Sequence, residues 1–341
     1  MPENLRFLEG VWEQVSGMGV NLIAVPDRQG AFGIFDVKIA PLEERLEFSP
    51  LLPGEPDGKV GNNIDSGQED RNQQLVGVTY SQQINHAKDK KNTLHVETGH
   101  LLAEQALGDN SAAITNSDWQ QHFDLDSGDP LFLALDQGSV TNVHRQASIP
   151  HGNALAARGC MHNVNANDLA TILERAKTRY RMNPIQHTGG EDELKREGYT
   201  SRYFEVLDKV NEDGLIGFKE EHLKEPIGFV MAKLQQMVAK SKRMIHWHVV
   251  ARNELDPSSK VEPQPGGSLS FLRQDQKKVK SGILNMPFVH HMADVPIVEA
   301  EFIWFSDSRG EEFLFYAQKV FLDFSGVFWP HISINFLQKR V

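Results

Sequence analysis

The stretch that decides the fold lies near the C-terminus: IVEAEFIWFS at residues 297–306, DSRG at 307–310, FLFYAQKVFLDF at 313–324 and HISINFLQ at 331–338. Three of these runs are rich in β-branched and aromatic residues, as strands are. The Asp-Ser-Arg-Gly segment has the composition of a hairpin turn. Successive strands separated by turn residues favour an antiparallel meander or barrel over βαβ units.

The N-terminal half continues the same pattern. Strand-like runs occupy residues 20–26, 31–39, 46–50, 75–84, 93–103 and 140–149. The runs 75–84 and 93–103 are joined by a polar linker at 88–92 and are expected to form a hairpin. Residues 54–72, rich in Gly, Asn and Asp, are expected to form a long loop. Since a barrel leaves no exposed edge, we expect the strand of Trp12 to pair with the strand of His331.

The middle of the chain changes to helical periodicity. Apolar residues recur every three or four positions in 167–181 and 226–243, which predicts two helices on the outside or mouth of the barrel, the first capped by Asn167. The charged segment 191–225 is expected to extend this insert. The predicted fold is therefore mainly β, an antiparallel β-barrel with a helical insert. We expect one unit over residues 1–341 with 167–243 as the insert; the alternative is two halves, 1–165 and 244–341.

Composition excludes several classes of protein. The 341 residues carry a formal net charge of −11, which argues against a phosphate-binding nucleic-acid surface. The single cysteine, Cys160, excludes an intramolecular disulfide framework and fits a reducing compartment. No window approaches the eighteen apolar residues of a membrane span, and residues 1–12 lack the apolar core of a secretory signal. We expect a cytoplasmic location.

Histidine is the informative residue type, with 14 copies, several inside apolar strands. His246 and His248 flank Trp247, and alternation places both imidazoles on one strand face. With a third ligand from a neighbouring strand they could hold zinc or another divalent metal. The structural alternative is that Ile245, Trp247 and Val249 face the core while the histidines face water. Cys160 is expected to be a buried structural residue rather than a nucleophile.

A second constellation is a single histidine in an apolar barrel. His331 follows Phe328, Trp329 and Pro330, and one neutral imidazole suffices to hold haem iron. Because Pro330 donates no hydrogen bond, we expect strand pairing to begin after it, which would place His331 at the rim. The alternative is a solvent-facing stripe of His331, Ser333 and Asn335.

Several segments together resemble a known group of proteins. The opening LEGVW at residues 8–12 and GMGVNLI at 17–23 resembles the G-x-W start of lipocalin-like and nitrobindin-like barrels. The segments GVTYSQQI (77–84), LHVETG (94–99), ASIPHG (147–152), ILNMPFV (283–289) and WPHIS (329–333) resemble bacterial and fungal proteins labelled haem-binding or peroxidase-like. The resemblance implies a lipocalin-like barrel with an interior ligand, and His331 matches by position the haem histidine of nitrobindin-like barrels.

The leading hypothesis is thus a barrel that binds haem or a similarly flat apolar ligand, with peroxidase or nitric-oxide chemistry as an extension. Its cofactor-binding residues are expected to be His331, which would hold the iron, with His151, His95, Trp329 and Tyr80. The alternatives are a non-haem enzyme, either a cyclase or isomerase or a metal enzyme using His246 and His248, and a carrier of hydrophobic ligands. The expected partner is a small apolar molecule, and a homodimer is left open.

Overall fold

The computed structural model describes residues 5–26, 35–51, 59–63, 73–106, 116–123, 125–182, 185–186, 209–252, 282–286, 294–324 and 327–340. Its strands are β1 Gly10–Pro26, β2 Phe35–Pro50, β3 Lys59–Asn63, β4 Gln73–His86, β5 Thr93–Ala106, β6 Thr141–Ile149, β7 Asn153–Asn163, β8 Ile185–Gln186, β9 Ser241–Arg252, β10 Gly282–Asn285, β11 Ile297–Asp307, β12 Glu312–Phe324 and β13 Val327–Lys339. Its helices are α1 Asn116–Phe123, α2 Pro130–Asp136, α3 Ala166–Arg179, α4 Glu220–Lys224 and α5 Gly228–Val238.

Ten of these strands close into one antiparallel barrel. They are neighbours in the order β1-β2-β4-β5-β6-β7-β9-β11-β12-β13, and β13 pairs back onto β1. The closing ladder joins Trp12 to Lys339 and Ile23 to His331. The expected pairing of the terminal strands is therefore confirmed, as is the mainly β barrel. Strands from both predicted halves enter this one barrel, and the domain boundaries themselves stay predictions.

The N-terminal segment fills one end of the barrel. A short 3₁₀ turn, Arg6–Leu8, buries Leu8 completely, and the Trp12 Nε1–H donates to the Leu8 carbonyl at 2.7 Å. Phe7 lies edge-on to Trp304, with ring centroids 5.1 Å apart. Trp304 is in register with Leu314 and Leu314 with Leu337, which lies six residues beyond His331 on β13. At the rise of a strand, His331 is roughly 20 Å from this filled end.

A helical layer covers part of the barrel's outer face. The helices α3 and α5 pack on outward-facing residues of β1, β11, β12 and β13, among them Leu22, Phe305 and Ile334. The helices α1 and α2 pack over Cys160 on β7 and Val250 on β9. The outside of this barrel is therefore a second buried interface, which is why outward positions on these strands are as apolar as inward ones. None of the described helices has the length and apolar character that crossing a bilayer requires.

Several local expectations need correction. The helix predicted at 167–181 is α3, but its cap is Asn165, whose side chain accepts hydrogen bonds from the Asn167 and Asp168 amides. The second predicted helix ends at Val238, since Ser241 already begins β9. Strand β3 lies inside the predicted loop 54–72 and pairs with β4. Much of the insert 191–225 lies outside the described residues; residues 209–212 are helical, and α4 follows at Glu220–Lys224.

Strand β7 and the helices α1 and α2 were not predicted. In β7 the run NALAARGCMHN mixes small and polar residues: outward-facing Cys160 is covered by α1 and α2, whereas Ala156 is exposed. The hairpin turn at 307–310 is confirmed: the Asp307 amide donates to the Glu311 carbonyl at 2.9 Å, and Gly310 adopts the positive φ of 82° that the turn requires.

Candidate functional site

Strand alternation places His331 on the interior side of β13. Ile332, Ile334 and Phe336 pack in the cluster beneath the helical layer, so the residues between them face the barrel lumen. His331 is half-buried there, and its Nε2 lies 2.7 Å from Asn21 Oδ1 on β1. The expectation that pairing starts after Pro330 is wrong, because β13 begins at Val327 and Pro330 is in register with Phe321 of β12. The ladder to β1 ends at His331, so no partner on that side needs the missing proline N–H.

Three histidines converge at this end of the barrel. His95 on β5 is half-buried, and His151 is exposed at the turn between β6 and β7, with ring centroids 5.6 Å apart in an edge-to-face arrangement. Burial and the nearby His95 and His151 lower the pKa of His331 to about 4. Burial and His95 also lower the pKa of His151. Residues 95, 151 and 331 thus form a group of three imidazoles, hereafter the histidine end.

An ionic network lies beside the histidine end, inside the barrel. Arg145 on β6 donates from Nη2 to Glu97 Oε1 at 2.6 Å, from Nε to Tyr80 Oη at 3.1 Å and from Nη1 to Gln318 Oε1 at 2.6 Å. The Tyr80 hydroxyl donates to Glu97 Oε1, and His95 Nε2 lies 3.3 Å from Glu97 Oε2. Burial opposes ionisation of Glu97, but Arg145 and the hydrogen bonds from His95 and Tyr80 lower its pKa to about 2. Glu97 is therefore an ionised carboxylate held by a buried guanidinium.

A second interior carboxyl group has no such cation. Glu44 on β2 is buried and accepts hydrogen bonds from Gln82 Nε2 and from the Tyr316 hydroxyl, both at 2.7 Å. Tyr316 in turn accepts hydrogen bonds from Gln82 and Asn335. Burial raises the pKa of Glu44 to about 7, since these hydrogen bonds only partly offset desolvation. Glu44, Tyr80, Gln82, Glu97, Arg145 and Tyr316 are called the interior network below.

The remaining residues singled out from the sequence, Tyr80, Trp329 and Cys160, lie away from the histidine end or serve a different role. Tyr80 is buried inside the barrel, as part of the interior network and not as a lone ligand contact. Trp329 packs in the apolar cluster shared with the helical layer. Cys160 is fully buried, and burial raises the pKa of its thiol, which agrees with a structural role.

His246 and His248 face outward but do not reach solvent. Both are buried beneath the helical layer, while Ile245, Trp247 and Val249 face the lumen. His248 Nε2 donates to Glu299 Oε1 at 2.9 Å, and His246 Nδ1 lies 2.9 Å from His162 Nε2. The structural alternative for this motif is thus half right: the hydrophobic residues face the core, but a layer of helices replaces water on the other side.

Two glutamates on one strand and an arginine from a helix complete this group. Glu299 and Glu301 on β11 face the same interface, where Arg179 at the end of α3 contacts both carboxylates and Lys319 lies 3.6 Å from Glu299 Oε2. Residues 162, 179, 246, 248, 299 and 301 are called the outer cluster. Burial lowers the pKa of His162 and of His248 to about 4. Among the described residues no three His, Cys, Asp or Glu side chains are grouped so as to hold a metal ion, and the metal site at His246 and His248 stays a prediction.

Sequence reasoning missed the interior network, although a signal exists. Glu44 is in phase with Leu42 and Leu46, and Arg145 is in phase with Val143 and Ala147, all on the inward side of their strands. Charged residues at the buried phase of a strand are rarely solvated. A search for them would have found both groups.

Comparison with known proteins adds little. No family model matches the sequence, and no curated protein matches it. A solved structure described as "Crystal Structure of Rv2717c from M. tuberculosis" aligns over 98% of this chain and 93% of that chain, with 10% sequence identity and a TM-score of 0.35. A TM-score this low carries no argument about the present chain. Membership of a haem-binding family therefore stays a prediction.

Proposed function

We propose that the barrel binds a small molecule at the histidine end. The observation that carries this proposal is the convergence of three imidazoles from β5, the β6–β7 turn and β13. They meet at the end of the barrel opposite the one that the N-terminal segment fills. Their graded exposure, from half-buried His331 and His95 to exposed His151, gives a ligand a route from solvent. Binding sites commonly occupy the mouths of β-barrels.

Haem is the cofactor we propose for this site, with His331 as the residue that would hold its iron. The donor chemistry fits, because the low pKa of His331 leaves a neutral imidazole with a lone pair at neutral pH. Haem iron, when bound, would supply peroxidase or nitric-oxide chemistry. His95 and His151 would line the same ligand, and Tyr80 would act through Glu97, to which it donates a hydrogen bond.

Titration with haemin tests the proposal. We expect the wild-type protein to give a Soret band of histidine-ligated haem with saturable binding. His331→Ala should remove that spectrum while the far-ultraviolet circular dichroism stays nearly unchanged. His100→Ala is the matched control: His100 lies on β5 next to Gly99 but faces outward, and Nδ1 of its ring has no hydrogen-bond partner among the described residues.

Three results would contradict the proposal in different ways. If haemin shows no saturable binding, haem is excluded as the ligand. A spectrum that survives His331→Ala but not His151→Ala would move the ligand to His151. Equal loss in His331→Ala and His100→Ala would indicate a general effect on the fold rather than a site.

A second candidate, a non-haem enzyme of the cyclase or isomerase type, is favoured by Glu44. A buried carboxyl group with a pKa near 7 is suited to proton transfer at neutral pH. Protonation is measurable as an infrared carboxyl band at pH 6 that is absent in Glu44→Gln. Absence of that band in the wild type would remove this candidate.

A further inference from the structure

Hydrogen bonding fixes which ring nitrogen of His331 carries the proton. Asn21 Oδ1 lies 2.7 Å from His331 Nε2 and also accepts from Ser333 Oγ at 2.9 Å. An amide oxygen only accepts hydrogen bonds, so Nε2 must donate. In a neutral imidazole the other nitrogen, Nδ1, then carries the lone pair.

The same logic applies to His95. Its Nε2 lies 3.3 Å from Glu97 Oε2, and Glu97 is an ionised carboxylate beside Arg145. A carboxylate accepts only, so His95 donates from Nε2, and in the neutral form of this ring Nδ1 carries the lone pair. Among the described side chains, none hydrogen-bonds Nδ1 of His95 or of His331.

The charged groups around these rings restrict the chemical class of the ligand further. The guanidinium of Arg145 already bonds to Glu97, Tyr80 and Gln318, so it does not present its nitrogens to a new anion. Two lone pairs close to a carboxylate would repel an anionic or purely hydrogen-bond-accepting group.

We propose that the ligand of the histidine end is an electron-pair acceptor, met by the Nδ1 atoms of His95 and His331, and that Asn21 and Glu97 are positioning residues that set this tautomer. Such a ligand offers either a proton on a hydroxyl or amine group or a Lewis-acidic metal centre. The inference rests on the proposed function, because it specifies the chemistry of the same site.

The tautomers can be measured without any ligand. In the full-length protein labelled with ¹⁵N-histidine, long-range ¹H–¹⁵N spectra report which ring nitrogen is protonated, and His331→Gln and His95→Gln assign the signals. We expect Nε2–H for both rings. Asn21→Leu should turn His331 into a tautomer mixture and leave His95 unchanged, whereas the control Asn85→Leu, on the outer side of β4, should change neither. Protonation at Nδ1 in wild-type His331 and His95 would overturn the inference while leaving the proposed function to the haemin titration.

Matched probes then test the ligand class. Phenol offers a proton, anisole does not, and benzoate is an anion; haemin has a Lewis-acidic iron, and metal-free protoporphyrin does not. We expect phenol to bind about tenfold more tightly than anisole, or haemin than protoporphyrin, as one hydrogen bond or one metal bond would give. The pair that differs identifies the source of the acceptor. Equal affinities within both pairs, or tighter binding of benzoate than phenol, would overturn the inference. Failure of all five probes to perturb His95, His151 or His331 would instead contradict the proposed function.

Discussion

The interior network and the outer cluster are built from the same parts but differ in access. Both place imidazoles against glutamates with an arginine alongside: inside, His95 of the histidine end meets Glu97 and Arg145 of the interior network, and outside, His248 meets Glu299 and Arg179. Inside, two of the adjoining histidines, His95 and His331, are half-buried, and the third, His151, is exposed. Outside, the histidines are buried under helices.

From this difference we propose a binding role for the histidine end and a structural role for the outer cluster. A ligand needs access as well as hydrogen-bonding groups, and at the histidine end His151 is exposed while His95 and His331 are half-buried. The outer cluster satisfies its charges within itself, through Arg179 and Lys319 against two glutamates, and thereby attaches the helical layer to the barrel wall. The predictions below are arranged to break or sharpen this contrast.

Removal of residues 329–341 should have the largest effect, because β13 serves both regions. It contributes His331 to the histidine end and Ile332, Ile334 and Phe336 to the layer beneath the helices, and it closes the barrel onto β1. We expect the cooperative unfolding transition to disappear in calorimetry. Gln338→Ala, an exposed change in the same strand, should leave the melting temperature within a degree or two. A truncated chain that melts like the wild type would show that barrel closure is unimportant.

Replacing the arginine of each region should lower the free energy of unfolding by different amounts. Arg145→Ala leaves Glu97 as a buried charge without its guanidinium, which should lower the free energy of unfolding by about 3–5 kcal/mol. Arg179→Ala should lower it by roughly 1–3 kcal/mol, since Lys319 still faces Glu299 and the Arg179 side chain is 17% exposed against 6% for Arg145, so water can reach Glu301 in its place.

Urea unfolding of both variants measures this difference. The pair Arg145→Met with Glu97→Gln should recover much of the loss, because the stranded charge is gone. Equal losses for the two single variants, or no recovery in the double variant, would contradict the distinction.

One buried group in each region, His162 outside and Glu44 inside, should change stability with pH in opposite directions, with smaller effects. Burial lowers the pKa of His162 to about 4 from 6.5, so the unfolded chain takes up its proton first and stability falls as pH drops from 6.5 towards 4. Burial raises the pKa of Glu44 to about 7 from 4.5, so the unfolded chain releases its proton first and stability falls as pH rises from 4.5 to 7.

Variants isolate these contributions in urea titrations across pH. Relative to wild type, His162→Gln should gain stability as the solution is acidified, and Glu44→Gln should gain as it is made neutral. Glu43→Gln, an exposed neighbour on β2, is the control and should show neither trend. Parallel curves for all four proteins would mean that neither buried group titrates differently on folding.

The sequence predicted the barrel because its strand-like runs are rich in β-branched and aromatic residues and are separated by marked turns, as in 307–310. It predicted that His331, His95 and His151 belong to one site only through a resemblance. These residues are 56 or more positions apart, and no local sequence pattern indicates that they meet in the fold. The outer cluster could not be predicted, because α1, α2 and α3 decide whether His246 and His248 face water, and α1 and α2 have only eight and seven residues. Glu44, Glu97 and Arg145 could have been found from their phase alone.

Chemical footprinting of histidines tests the central claim, that the histidine end is the open site and the outer cluster is closed. Diethylpyrocarbonate modifies accessible neutral imidazoles, and mass spectrometry of the native full-length protein locates each product. Reaction should be fastest at His151, followed by His331 and His95, and haemin should protect the last two.

His162, His246 and His248 should react only under unfolding conditions, because they are buried in the folded protein. Early modification of His246 or His248, with His331 and His95 unreactive and unaffected by haemin, would contradict the account and move the binding site to the outer face of the barrel.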